Sequence, residues 1–189
     1  MRTIFTALIL ASSLLWQDIS GNVYWEEVPA SVRSVVINNP EVSQKARLLT
    51  TAKDLSGAEI DDSLLSELIN CSDDMNINAL RFYLLNKAAL CADGELAEIM
   101  GKYLIAYTFD HPEYVLCYLY NDHHLTEVYE FFIGYEFAFS QDLLSDCSVS
   151  YHSFYQKLNE SKYSDYLVSF KNTFLETIDR KIECYREGE

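Results

Sequence analysis

The chain has 189 residues, 49% of them hydrophobic and 14% aromatic, and its 29 acidic against 14 basic side chains give a formal net charge of −15. That apolar content excludes a disordered tail, and a mean hydropathy near zero excludes a polytopic membrane protein. An acid excess of this size repels phosphates and anionic headgroups, so neither nucleic acid nor a membrane surface is the expected partner.

Residues 1–16, MRTIFTALILASSLLW, place one positive charge at Arg2 ahead of an apolar run. The run is shorter than the roughly 20 apolar residues a spanning helix needs. It reads as a secretory signal peptide cleaved after Ser13 or Gly21, so the domain boundary is set at 21. The mature protein is expected to be secreted or periplasmic, with no membrane insertion once the leader is gone.

Residues 22–189 then read as a single α-helical domain. Residues 22–38 hold a short extended piece and a helix from Pro29. Asn39-Pro40 sets a capping residue before a proline suited to the first helical position. Ser56 to Glu59 spells a capping box ahead of Ile60, Leu64, Leu65, Leu68 and Ile69. Asp73 or Asp74 opens the next helix, Asp93-Gly94 breaks the chain, and helical spacing resumes over 95–109. His111-Pro112-Glu113 starts a short helix through Tyr120, and Asp122 caps its successor. Starts near 40, 75 and 112, with partners near 57, 94 and 123, recur at about 36 residues, the period of stacked helical hairpins. The fold class is therefore all-α: hairpins over 39–141 arranged as a short HEAT-like α-solenoid or as an irregular helical bundle. C-terminal helices follow within 142–189, near 150–160 and 163–186. The last is expected to bury Tyr166, Phe170, Phe174 and Ile178.

The cysteines, Cys71, Cys91, Cys117, Cys147 and Cys184, form no CxxC pair, which disfavours a zinc cluster. Export permits disulfides, the odd count leaves one thiol over, and Cys117 within YVLCYLY suits a buried free thiol. Asn70 and Asn159 open glycosylation sequons.

Two acidic regions stand out. Glu59, Asp61, Asp62, Glu67, Asp73 and Asp74 lie together without a basic residue, but they lack the alternating spacing of an EF-hand loop and suit helix N-termini better. Between Lys102 and Lys157 no Lys or Arg occurs, while eight acidic residues, all four histidines and nine tyrosines do. The stretch YNDHHLTEVYEFF sits at its centre. Helical rotation from an Asp122 cap puts His123, Glu127, Glu130 and Gly134 on one outward stripe, and Leu125, Val128, Phe132, Tyr135 and Phe139 on the buried side. Asp122, His123, Glu127 and Glu130 are the candidate partner-binding residues, on an acidic, tyrosine-rich face suited to a basic protein or peptide.

No GxSxG, P-loop or GxGxxG motif is present, so no catalytic residue is assigned and no cofactor or metal is expected. The reading is a non-enzymatic binding protein, inhibitor- or immunity-like by analogy of charge and compartment. One alternative is a metal-assisted hydrolase built on His111, His123, His124 and Glu127. The other is a structural packing unit of an envelope assembly.

Overall fold

The computed structural model describes residues 23–52, 60–139 and 149–188. The leader, the Ser56–Glu59 capping box, Cys147, Asp142 and Asp146 lie outside the described residues. A 3-10 turn, Trp25–Glu27, is followed by nine α-helices, with no strand among the described residues. They are α1 (Ala30–Ile37), α2 (Gln44–Thr51), α3 (Asp62–Ile69), α4 (Met75–Leu90), α5 (Gly94–Asp110), α6 (Pro112–Asn121), α7 (His123–Phe139), α8 (Tyr151–Glu160) and α9 (Asp165–Glu187).

Local chemistry explains most boundaries. The side chains of Ser43, Asp61, Asp74, Asp122 and Ser150 each accept from a first-turn amide, meeting donors that have no partner within the helix. Pro112 opens α6, where its missing N–H costs nothing. Gly94, at φ +48°, takes the left-handed conformation that lets α5 start with only three residues between it and α4.

Two expected starts move. No helix begins at Pro40: the Asn39 side chain accepts from the Glu41 amide and closes a turn, and Ser43 caps α2 instead. Ile60 and Asp61 are not helical, so the Leu64/Leu65/Leu68 face belongs to a helix opened by Asp61. The piece expected to be extended near residue 25 is the 3-10 turn, its Glu27 carboxylate accepting from the Tyr24 amide.

The helix α4 is buried on nearly every side, and it meets α1, α2, α3, α7 and the 3-10 turn. Its Phe82 ring packs against Tyr107, Tyr114 and Tyr118, so many of the tyrosines counted in the sequence are core residues. The helix α7 packs against α4, α5, α6 and α9. With neighbours on two flanks it cannot keep a single solvent stripe. Gly134 is buried against Lys181 of α9, while Tyr135 is exposed beside Phe131. The α9 stripe is likewise rotated: Leu167, Phe174, Leu175, Ile178 and Ile182 are buried, whereas Tyr166 is half exposed. Cys117 is buried as expected, and the four described cysteines are free thiols.

Where α5 crosses α7, Glu136 is buried. Burial pushes its carboxyl above the usual range, against a smaller opposing pull from Lys102. Between the unfolded value and the raised folded value the native state holds more protons, so stability from this group falls as pH rises through that window. Glu136→Gln is therefore expected to stabilise the protein at pH 7, giving a higher melting temperature than the wild type. Melting curves of both proteins against pH should converge below the unfolded value near 4.5.

Candidate functional site

The acidic residues of 59–74 are mostly consumed by structure. Asp61 caps α3 and pairs with Lys45, Asp62 pairs with Lys102, Glu67 accepts from the Ser43 amide, and Asp74 caps α4. The lysine contacts hold both the Asp61 and Asp62 carboxyls below their usual range.

The acid-rich region of 102–157 is also less bare in space than along the chain. Glu130 is half-buried against α9: burial raises its carboxyl, with Lys181 nearby opposing the shift. Arg186 of α9 donates to the Phe137 carbonyl, and Lys157 lies over the Phe109 ring. Lys181 of the long C-terminal helix thus comes near Glu130, an acid that local sequence left without a cation. Glu130 lies near Lys181 and Arg180 of α9 as well as near Glu127 and His123.

His123 and Glu127 do face outward. Their 3.9 Å contact joins side chains that are 89% and 61% exposed, so water screens it. His124 is exposed, whereas His111 is partly buried at the junction of α5 and α6. Among the described residues no three His, Cys, Asp or Glu side chains are placed to share an ion. The four residues of the hydrolase alternative are not gathered into one site.

Asp122 is the candidate that enters a cleft. Residues 23–28 run back along α6, some 90 positions away in sequence. Tyr24 stacks on Tyr114 with ring centres 4.8 Å apart and planes 15° from parallel. The Tyr114 hydroxyl donates to the Val23 carbonyl at 3.0 Å, and the Tyr24 hydroxyl to the Tyr114 carbonyl at 3.3 Å. Tyr118, one turn further along α6, donates to the Glu26 carboxylate at 3.0 Å. Burial and the Glu26 charge push its phenol well up, so it stays a neutral donor. Together Tyr24, Glu26, Glu27, Tyr118, Asn121 and Asp122 line an open cleft of about 420 Å³.

The cleft combines three carboxylates with two tyrosine rings. Glu26 and Glu27 are exposed, and each holds one short-range donor, leaving further acceptor positions facing solvent. Arg33, close in sequence, is committed elsewhere: it lies over the Trp25 ring and donates to the carbonyls of Val28 and Glu26. Such a cleft can take a guanidinium or ammonium group between carboxylates and a ring face. Sequence reasoning found Asp122 but not Glu26, Glu27 or Tyr24, because nothing local announces that residues 24–27 pair with α6. Compared with protein families, characterised proteins and solved structures, the chain matches none.

Proposed function

We propose that this is an exported, non-enzymatic binding protein whose cleft between residues 24–27 and 118–122 engages a basic protein or peptide. The observation that carries this reading is the meeting of Glu26, Glu27 and Asp122 around Tyr24 and Tyr118 in one open cleft. The formal charge of −15 supports it through long-range attraction of cations, and the leader-like residues 1–21 support export. Glu127, little more than one turn beyond Asp122 and also exposed, adds to the negative charge on that side. Of the two helical arrangements, we favour an irregular bundle. A solenoid unit contacts only its neighbours, whereas Tyr24 reaches Tyr114 and α4 reaches α7.

Titration of a hexa-arginine peptide tests the cleft. Binding should weaken steeply with salt. Glu26→Gln with Glu27→Gln should weaken it about tenfold, as should Asp122→Asn, since asparagine retains the helix cap. The same charge change at Glu95 and Glu98, exposed and outside the cleft, should cost less than about twofold. Equal losses from both pairs, or affinity indifferent to salt, would refute the cleft as the binding site.

A further inference from the structure

We propose that Cys71 and His111 form a nucleophile–base pair at a small cavity lined by Arg81, and that Cys71 exchanges there with small anionic disulfides. Cys71 lies in the turn between α3 and α4, and His111 joins α5 to α6. The fold brings Sγ and Nε2 to 3.2 Å across 40 residues of sequence. That is the contact by which an imidazole takes a thiol proton. Burial lowers the imidazole's basicity; Asp110 opposes the shift and Lys157 adds to it. The ring, packed on Tyr107 at 4.8 Å, is thereby kept neutral and able to accept that proton at pH 7.

The second observation is the arginine. Arg81 is 8% exposed and lines the same cavity. Its terminal nitrogens donate to the carbonyls of Asn70 and Glu41, both at 3.1 Å, while its Nε is buried without an acceptor. Among the described residues it has no carboxylate within ion-pair distance. A buried guanidinium lacking a counter-charge is costly, and an anion in the cavity offsets that cost. The cavity measures about 60 Å³, room for about four waters or a small carboxylate-bearing group. Cys71 itself is exposed at its mouth.

In the exchange, His111 takes the Cys71 proton and the thiolate attacks one sulfur of the reagent. A bond forms between Sγ and that sulfur as the reagent's S–S bond breaks. The departing thiolate then takes the proton from His111. Cys71 is oxidised to a mixed disulfide and half of the reagent is reduced to a thiol, so no further oxidant is required.

The test uses the full, reduced protein at pH 7 with dithiodiglycolate, which carries two carboxylates, and separately with neutral hydroxyethyl disulfide. Peptide mass spectrometry follows each cysteine, and the exposed thiols Cys91 and Cys184 serve as internal references. An ordinary thiol is only about 3% thiolate at this pH, so activation should speed Cys71 about tenfold over both. The ratio of anionic to neutral reagent should also be several-fold higher at Cys71, which separates Arg81 from the acidic field of the whole molecule. His111→Ala should return Cys71 to the reference rate, with Cys91 and Cys184 unmoved as the sign that the variant is folded. In the wild-type protein alone, a Cys71 rate no faster than the references, or a reagent ratio equal to theirs, overturns the proposal.

Discussion

Gly101→Ala is expected to destabilise the protein by about 2 kcal/mol or more, although the same change on an open helix face stabilises by about 1 kcal/mol. Gly101 lies in the middle of α5, where that helix crosses α7. A Cβ there would meet the Phe132 carbonyl oxygen at 2.6 Å and the Glu136 Cβ at 2.7 Å. The first obstacle is backbone and the second is the root of a side chain, so neither can swing aside. Relief requires the two helices to part, which loosens the packing of Phe132, Ile133 and Phe137 along the same face. Gly101→Val should roughly double the loss. For a chain of this size each kcal/mol lowers the melting temperature by about 2–4 °C, so thermal denaturation reads both variants easily. Gly134→Ala is the graded comparison, because its nearest obstacle, the Lys181 Cβ, stands at 3.0 Å, so a shift of a few tenths of an ångström relieves the contact. A Gly101→Ala protein as stable as the wild type would mean that α5 and α7 do not approach as closely as described.

The contrast between Gly101 and the helix caps marks what was legible in the sequence. Asp74, Asp93-Gly94, Pro112 and Asp122 act within three residues of themselves, so their roles could be read without knowing the fold. Asn39 shows the limit of that logic. Its side chain does bind a nearby amide, but to close a turn, and Ser43 four residues on takes the cap. The direction each helix faces was harder to read. Rotation around α7 assumed one wet side, whereas α9 returns to cover Gly134 and Glu130. A helix with two covered flanks gives a poor single stripe, and its sequence carries aromatics nearly all round.

Only one side of each candidate site, Asp122 and His111, stood out in the sequence, and for the same reason. Glu26 meets Tyr118 across 92 residues, and Cys71 meets His111 across 40. Each half looks ordinary alone: a pair of glutamates beside a tryptophan, or a cysteine after a helix. Their chemistry arises from tertiary contact. The four-residue spacing of His123 and Glu127, which did catch the eye, yields only a solvated pair.

The second large effect is expected at Tyr129, whose ring is fully buried and whose hydroxyl donates to the Asn86 side-chain oxygen at 2.7 Å. Asn86 is itself 4% exposed, and its amide nitrogen is already buried without an acceptor. Tyr129→Phe removes the donor and strands the remaining polar atom between α4 and α7. That should cost about 2 kcal/mol, within the range for an orphaned buried group. Asn86→Leu alone should cost about 1–2 kcal/mol by leaving the hydroxyl unpaired. Together the two changes replace a partly satisfied polar pair by apolar groups of similar shape. The double variant should then recover to within about 1 kcal/mol of wild-type stability, giving a coupling of about 2–3 kcal/mol in a denaturant-unfolding cycle. Simple additivity of the two losses would show that the hydroxyl and the amide do not depend on one another. Recovery would show that this buried contact adds little net stability over an apolar pair, because the cost of burying its polar atoms offsets the hydrogen bond they make.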